Sequence, residues 1–409
     1  MRSPTRARST GVARLFVLGL ATCLLAAPAA RAQHPWPTAG WTRSTPAEQR
    51  LDPAPLAALD SLVRSGRFGN VDRLFVTRHG YQVVDYRYPR DYRQVAAGRR
   101  TQYGCGPGAC DGFSSAPEFN YFDPEVHPFY RGSQLHSLQS ATKSVSATVL
   151  GAALQQGVMP PLETPLLSLL SEYRGVVPDP ARLGKATLAD LLTMRSGIEW
   201  HEQDRPLDTT NTTLQLEMSP DWVRFTLSQP MDADPGAKWV YNSGGSHLIS
   251  AVVRSATGQT MAEYGRTHVF RPLGISEFHW KTGGGGLPDG EGGLYLTAES
   301  LAKIGYLYLR GGEWDGQRIL PADWTKRAVS RVVDEGPPGG VGYGYQWWRV
   351  DPPGLEVWAA MGFGGQFLLV LPAYDIVAVA MGWNVYGEQV PAVLGPFLQA
   401  LRRSAGGGS

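Results

Sequence analysis

The spacing of apolar residues predicts strands near both ends of this chain and helices between them. Leu56, Leu59 and Leu62 recur at helical spacing and predict an early helix. The runs 74–77 and 81–86, joined through Arg-His-Gly, predict a β-hairpin. Strand patterns return late in the chain, and a terminal helix follows them: 341–349, 357–361, 367–370 and 376–381, then 390–401.

The middle of the chain has the pattern of several helices, which begin near Ser140, Thr187, Ser219, Tyr241 and Thr260. Strands from both termini with helices between them predict an α/β (α+β) fold, in which both chain ends contribute to one antiparallel sheet. We expect one domain over 33–403. Its sheet lobe would lie at about 50–145 and 290–403, with an inserted helical lobe at about 146–289 and a cleft between the two.

Composition narrows the possible function classes. The chain has 409 residues, a formal net charge of +2 and scattered arginines, so neither nucleic acid nor a membrane surface is an expected partner. Its eight histidines are dispersed and none has zinc-ligand spacing, so we expect no metal and no cofactor. The sequence has no Gly-x-Ser-x-Gly elbow and no P-loop, which disfavours an α/β-hydrolase and a nucleotide enzyme.

Residues 1–32 have the pattern of a secretory signal peptide. A basic start precedes an apolar run, and the Ala-Arg-Ala sequence at 30–32 is a small-x-small cleavage site. The apolar run is too short to favour a membrane anchor. We therefore expect a periplasmic or secreted protein with no stable membrane insertion after cleavage. In an oxidising compartment Cys105 and Cys110 would form a local disulfide, and the glycine-rich tail 404–409 is expected to be disordered.

Ser140-Ala-Thr-Lys143 places a hydroxyl and an amine on one face at the start of a predicted amphipathic helix. A partly desolvated lysine can remove a serine proton as the neutral amine. Ser137 could cap this helix and leave Ser140 in its first turn, where free backbone N–H groups favour an anionic intermediate. A second such pair, Ser300 and Lys303, lies in an ordinary capped helix, so we expect Lys303 to be solvated.

Two further stretches carry candidate chemistry. Tyr241-Asn-Ser243 lies where an aromatic run breaks into small polar residues. The phenol of Tyr241 could face a cleft and pass protons beside a lysine, or it could be a buried aromatic. Residues 361–370 contain two apolar runs around a glycine cluster, which suits a strand that a ligand approaches closely or a simple bulge. Three tryptophans could line the cleft or belong to the core: Trp200, Trp347 and Trp383.

The stretches at 140–143, 241–243 and 361–370 together resemble the serine β-lactamase and penicillin-binding-protein superfamily. Ser140 and Lys143 match its Ser-x-x-Lys element, and Tyr241-Asn-Ser243 matches its Tyr-x-Asn/Ser element. The likeness is greatest to the class C β-lactamase-related serine hydrolases, a branch that includes esterases and 6-aminohexanoate-dimer hydrolases. The resemblance implies a β-lactamase/transpeptidase-like fold.

The resemblance also implies a role for each matching residue. Ser140 would be the acylated nucleophile, and Lys143 and Tyr241 would be the proton-transfer pair. The oxyanion hole would use the backbone N–H groups of Ser140 and Gln366. The substrate would be bound at Ser243 and at the residues that occupy the place of the third family element: Phe363, Gly364 and Gly365.

The third family element is altered in this chain. Relatives carry Lys-Thr-Gly or His-x-Gly on the strand that lines the cleft, whereas Phe363-Gly-Gly365 stands here. The literal Lys281-Thr-Gly283 has loop composition and is rejected as that strand. Without a cation at 363, a substrate carboxylate would lack its usual partner.

The sequence therefore predicts a secreted serine hydrolase that cleaves an ester or amide bond through a Ser-linked acyl-enzyme. The expected substrate is a small-molecule ester, amide or lactam. One alternative is a β-lactamase or a D-alanyl-D-alanine carboxypeptidase-type enzyme. Another is a catalytically silent binding protein of the same fold.

Overall fold

The computed structural model describes residues 34–91, 133–206, 208–384 and 390–406. The predicted signal peptide, Cys105 and Cys110 lie outside these residues, so their predictions stay as they were made from the sequence.

The strands, numbered along the chain, are β1 (Thr42–Arg43), β2 (Val71–Arg78), β3 (Tyr81–Arg87), β4 (His136–Ser137), β5 (His279–Trp280), β6 (Leu294–Leu296), β7 (Glu313–Trp314), β8 (Gln317–Arg318), β9 (Gly342–Tyr343), β10 (Trp348–Arg349), β11 (Trp358–Gly362), β12 (Gln366–Leu371) and β13 (Ile376–Gly382). The α-helices are α1 (Pro53–Arg64), α2 (Thr142–Gln155), α3 (Leu166–Leu169), α4 (Pro180–Leu183), α5 (Leu188–Leu192), α6 (Thr212–Met218), α7 (Trp222–Leu227), α8 (Ser243–Thr257), α9 (Met261–Gly265), α10 (Ala298–Leu309), α11 (Ala322–Ala328) and α12 (Leu394–Ser404).

The main sheet joins strands from both ends of the chain. Its order is β1-β3-β2-β13-β12-β11-β10-β9, and every pairing except β1 with β3 is antiparallel. At its centre β13 pairs with β2, with Ala380 opposite Leu74 and Ile376 opposite Arg78. The predicted α/β fold with one large antiparallel sheet built from both chain ends is therefore confirmed.

Both faces of this sheet are covered, which explains why its central strands are apolar without alternation. Along β13, Ala378 joins the cluster that contains α1 and α12 residues, whereas Val377 and Val379 join the cluster that contains α2 and α10 residues. Successive side chains of a strand point to opposite faces. The sheet is thus a middle layer, and α2 lies on the face opposite α1 and α12.

Helix α2 is buried on all sides, so the prediction of an amphipathic helix with one buried face is wrong. Every residue from Thr142 to Ala153 is buried. Its polar side chains are tolerated because they have hydrogen-bond partners: Ser144 Oγ donates to Gln346 O (2.6 Å), Ser146 Oγ donates to Gly290 O (2.7 Å), and Thr142 Oγ1 accepts from Leu294 N (3.2 Å).

The start of α2 also differs from the prediction. Ser137 does not cap it, because Ser137 lies in β4 and the helix begins at Thr142 after Ala141. Ser140 lies in a 3-10 turn just before the helix, over Gln139–Ala141. The backbone therefore bends at the residue predicted to be the nucleophile.

Three smaller predictions need correction. The predicted strand 341–349 is interrupted, because Gln346 adopts a left-handed conformation (φ 59°) between β9 and β10. Helix α12 continues to Ser404, whose Oγ donates to Asp52 O, so Ser404 belongs to the helix and not to the predicted tail. Lys303 is buried rather than solvated: its Nζ donates to Gly274 O (3.0 Å) and Thr38 O (3.3 Å), and burial lowers its pKa to about 8.

Among the described residues, no helix combines the length and the apolar character needed to cross a membrane.

Candidate active site

The turn that carries Ser140 is held against the end of strand β11. Gln139, just before the serine, has a positive φ of 49°, a backbone conformation that is uncommon for residues other than glycine and clusters at active sites. At the end of β11, a Cβ on Gly362 would lie 2.2 Å from Leu138 O. Only glycine lets the strand come this close to the turn, so Gly362 sets the distance between Ser140 and the glycine-rich segment.

Lys143 Nζ has three acceptors within hydrogen-bonding distance. Ser140 Oγ, Glu291 O and Glu291 Oε2 each lie 3.0 Å away. Burial alone would lower the pKa of Lys143, but the charges of Tyr241, Glu291 and Glu202 outweigh it and raise that pKa above its ordinary value. These charges favour the ammonium form of Lys143, and its role in proton transfer stays a prediction.

Tyr241 is positioned by the start of helix α8. Asn242 is the N-cap, its side chain accepts from Gly245 N, and Tyr241 stands immediately before it. The centroid of the Tyr241 ring lies 5.1 Å from Lys143 Nζ and 5.7 Å from the centroid of the Trp348 ring. Burial raises the pKa of Tyr241, while the ammonium of Lys143 and a hydrogen bond with Ser140 act in the lowering direction.

A cavity of about 340 Å³ opens above Ser140. Its lining residues are Gln139, Ser140, Glu202, Gln203, Asn211, Thr213, Leu214, Glu217, Tyr241, Glu291, Trp348, Met361, Gly362 and Phe363. The structure thus brings Ser140, Lys143 and Tyr241 together beside one cavity, with the amine beneath the hydroxyl and the phenol in the wall.

The cavity wall is acidic. Glu202, Glu217 and Glu291 line it, and none of the lining residues of the described ranges is a lysine or an arginine. Glu202 is held in place by Ser243, which donates from its backbone N (3.0 Å) and from Oγ (2.8 Å), and by Trp200 Nε1 (3.1 Å). Because Glu291 is paired with Lys143 Nζ (3.0 Å), Glu202 and Glu217 are the acidic groups that make the wall favour neutral or positively charged groups.

Several residues predicted to bind substrate lie elsewhere. Ser243 is fully buried and contacts Glu202 rather than the cavity. Gly364 and Gly365 form the turn between β11 and β12, both with positive φ, and neither lines the cavity. Phe363 alone of this predicted set does so, with 42% of its surface exposed.

Gln366, predicted as an oxyanion donor, is also outside the wall. It pairs with Gly362 across the β11–β12 hairpin, and its side-chain amide donates to Phe363 O (3.3 Å) and to Gly382 O. These are contacts of the side chain, whereas the predicted donor is the backbone N–H of Gln366, so that assignment stays a prediction.

The three tryptophans considered for the cleft do not line it. Trp347 and Trp383 are buried in the core, and Trp200 supports Glu202 from behind. Sequence reasoning missed their neighbour Trp348, which lines the cavity. The aromatic pair Trp347-Trp348 sits in a strand pattern, and alternation alone places one of the two on the cavity side.

The acidic residues were also missed. Glu291 lies three residues before the start of β6, and its carboxylate contacts Lys143, 148 positions away in the sequence. Glu202 follows Trp200 in a loop with no regular spacing. In the sequence, Glu291 is seen only as a glutamate shortly before the apolar run Leu294-Tyr-Leu296, and that pattern does not identify a partner.

The rejected Lys281-Thr-Gly283 does not line the cavity. Lys281 is buried beside Trp222, with its Nζ 3.4 Å from Asp289 Oδ2. In the described part of the chain, no group of three or more histidine, cysteine or acidic side chains has the arrangement of a metal site.

Comparison with known proteins agrees with this geometry. A family model described as Beta-lactamase matches residues 119–394. The chain is 26% identical over 267 residues to a 6-aminohexanoate-dimer hydrolase from Paenarthrobacter ureafaciens, and the match covers 60% of this chain and 65% of that relative, slightly under two thirds of its length.

Two solved structures share the fold. EstCE1, a hydrolase with promiscuous acyltransferase activity, has a TM-score of 0.61 at 15% identity, over 89% of this chain and 98% of its own. A D-stereospecific amidohydrolase from Streptomyces sp. has a TM-score of 0.56 at 17% identity, over 87% and 99%. The resemblance predicted from the Ser-x-x-Lys and Tyr-x-Ser elements is confirmed, and this chain belongs to the β-lactamase family.

Proposed function

We propose that this protein is a secreted serine hydrolase that cleaves a small ester or amide through an acyl-enzyme on Ser140. The observation that carries the proposal is the contact of 3.0 Å between Ser140 Oγ and the buried ammonium of Lys143, at the floor of a cavity whose wall contains Tyr241. The similar 6-aminohexanoate-dimer hydrolase and the esterase-like and amidohydrolase folds support hydrolysis of an acyl bond.

The first half of the reaction forms the acyl-enzyme. The phenolate of Tyr241 accepts the Ser140 proton as Oγ bonds to the substrate carbonyl carbon, and the carbonyl π electrons move to oxygen. The backbone N–H groups of Ser140 and Gln366 stabilise that oxyanion. Tyr241 then returns the proton to the leaving alkoxide or amine as its bond to carbon breaks.

The second half releases the acyl group. A water molecule gives its proton to Tyr241 and attacks the ester carbonyl, and Ser140 Oγ leaves with the proton from Tyr241. Lys143 stays charged throughout and stabilises both the phenolate and the developing alkoxide. Burial raises the pKa of Tyr241, so its phenolate forms mainly at alkaline pH. Activity is therefore expected to rise towards alkaline pH.

The charge of the cavity restricts the substrate. A carboxylate-bearing substrate would meet Glu202, Glu217 and Glu291 without a cationic partner at position 363, and burying an unpaired carboxylate is costly. We propose that the preferred substrate is neutral or positively charged. The β-lactamase and carboxypeptidase alternatives are disfavoured because their substrates carry a carboxylate.

The test is covalent labelling with a fluorophosphonate probe followed by intact-mass measurement and peptide mapping. Wild-type protein should gain one adduct at Ser140, and Ser140→Ala should lose the adduct and reduce ester hydrolysis roughly a thousandfold. Ser300→Ala is the matched control, because Ser300 begins the other Ser-x-x-Lys pair. Undiminished labelling of Ser140→Ala would refute the assignment.

Two measurements address the remaining parts of the proposal. Expression of the full chain in a bacterial host with mass analysis of the exported product should find cleavage before Gln33, and retention of the intact N-terminus in the cytoplasm would contradict secretion. A chromogenic cephalosporin should be turned over slowly or not at all. Fast turnover would favour the β-lactamase alternative.

A further inference from the structure

A buried carboxylate stands directly behind the catalytic lysine. Glu291 is 5% exposed, and its Oε2 lies 3.0 Å from Lys143 Nζ. Its own backbone carbonyl is a second acceptor for the same ammonium at 3.0 Å. One residue therefore occupies two of the three donor directions of Lys143, and Ser140 Oγ occupies the third.

The loop that carries Glu291 is rigidly anchored. Asp289 Oδ1 accepts from the backbone N of Glu291 and of Gly292, both at 3.0 Å, and Asp289 is fully buried. From the other side, Ser146 on α2 donates to Gly290 O (2.7 Å). These contacts fix the carboxylate relative to the helix that carries Lys143.

We propose that Glu291 is a positioning residue that keeps Lys143 in its ammonium form and directs one N–H of that ammonium at Ser140, so that the serine proton must go to Tyr241. This inference rests on the proposed acyl-enzyme chemistry at Ser140. A neutral amine with the same geometry would give its two N–H groups to Glu291 and turn its lone pair to Ser140. The carboxylate charge decides between these two proton arrangements, since a buried ammonium needs a counter-charge.

Other charged or titratable groups also act on Lys143 and Tyr241, and their effect is common to the wild-type protein and the variant. Glu202 acts on Lys143 and Tyr241 from the loop before α6, Asp289 acts from the loop of Glu291, and the phenol of Tyr343 on β9 packs near Tyr241. Glu217 on α6 lines the cavity. Each of these groups remains when Glu291 alone is changed.

The sign of the effect follows from the charge. The carboxylate of Glu291 raises the pKa of Lys143 and also that of Tyr241. Activity requires Tyr241 to lose its proton and Lys143 to keep its own, so these two groups set the acid and alkaline limbs of the pH profile. Removing the charge should move both limbs to lower pH.

The test compares kcat/KM against pH for wild-type protein and Glu291→Gln, with a neutral nitrophenyl ester as substrate. Glutamine keeps the size of the side chain and removes its charge. We expect both limbs to move to lower pH and the maximum to fall about tenfold, since a charge-assisted hydrogen bond becomes a neutral one. A lower maximum with unmoved limbs would mean that Glu291 is merely structural, and would overturn the proposal.

Glu299→Gln is the matched control. Glu299 is a carboxylate in an ion pair with Arg73, and it does not line the cavity. Its loss should reduce stability without moving either limb. Glu291→Asp, which restores the charge on a shorter side chain, should return the limbs towards their wild-type positions even if the rate stays low.

Wild-type protein gives an independent check if Glu291→Gln does not fold. Because Glu291 stabilises its charge, Lys143 should keep its proton up to at least 10.5, the ordinary pKa of lysine. The profile of kcat/KM against pH should therefore show no alkaline limb below pH 10.5. An alkaline limb below that pH would overturn the proposal. Failure of the proposed function is distinguishable, because wild-type Ser140 would then take no fluorophosphonate adduct at any pH.

Discussion

The indole of Trp348 stacks on the phenol ring of Tyr241, with centroids 5.7 Å apart and planes inclined by 23°. Trp348 follows directly from the buried core residue Trp347, so its ring is fixed by strand β10. The stack is the wall against which Tyr241 is held opposite Lys143. Strand β10 therefore sets the orientation of Tyr241, the proposed proton carrier, through Trp348.

Replacing Trp348 should therefore lower activity through Tyr241. Trp348→Ala is expected to reduce kcat/KM about tenfold, because an aromatic pair contributes on the order of 1 kcal/mol beyond burial and the phenol gains freedom. Steady-state kinetics with a neutral nitrophenyl ester measures this. Trp348→Phe keeps an aromatic face and should recover most of the rate. Equal losses in both variants would show that the stack does not orient Tyr241.

Gly362 should be intolerant of any side chain. A Cβ there would lie 2.2 Å from Leu138 O, so Gly362→Ala must push β11 away from the Ser140 turn. A displacement near 1 Å at a catalytic group can cost about a hundredfold in rate, and we expect a loss of that size in kcat/KM. The matched control is Gly395→Ala, which lies at an exposed position of helix α12 with open space around it and should leave kcat/KM unchanged. Wild-type activity in Gly362→Ala would contradict the close approach.

The sequence predicted the parts of this site that depend on local spacing. Ser140 and Lys143 lie three residues apart, and Tyr241 immediately precedes the N-cap of a helix that was predicted to begin near it. The convergence of these stretches followed from the family resemblance. What failed was burial: Lys303 was expected in solvent, and helix α2 was expected to bury one face only.

Those failures share a physical cause. The surroundings of a lysine are set by residues distant in sequence, such as Glu291 for Lys143 and Gly274 for Lys303. No local pattern encodes such pairings.

Substrate charge should be governed by position 363. In wild-type protein, kcat/KM should be lower for a nitrophenyl ester that bears a carboxylate on its acyl chain than for a neutral ester of equal length, because the wall carries three glutamates. Phe363→Lys should raise kcat/KM for the anionic ester about fivefold, the effect of an ion pair worth about 1 kcal/mol.

Phe363→Gln is the control for the loss of the aromatic ring. It should leave the ratio between the anionic and the neutral ester unchanged. The preference should also weaken as ionic strength rises, because salt screens the charges of the wall. If the wild-type protein prefers the anionic ester, the acidic wall does not determine selectivity.

His247 should make the folded protein sensitive to mild acid. It is fully buried on α8, and neither ring nitrogen has a hydrogen-bond partner among the described residues. Burial lowers the pKa of His247 from 6.5 to about 4. The unfolded chain therefore binds a proton at a higher pH than the folded one. The contribution of His247 to stability is fully present above pH 6.5 and is lost as the pH falls from there to about 4.

The expected loss across that window is roughly 3 kcal/mol, from the difference between the two pKa values. Urea unfolding of wild-type protein and His247→Leu at pH 7, 5.5 and 4 measures it, and the variant should lose less stability than wild type on acidification. His201→Leu is the contrasting control. Hydrogen bonds that the imidazole of His201 donates to Asp204 and Glu199 raise the pKa of this more exposed histidine, so its removal should make the protein more acid-sensitive, not less. If the free energy of unfolding has the same pH dependence in wild type and His247→Leu, protonation of His247 is not the cause of the loss of stability in acid.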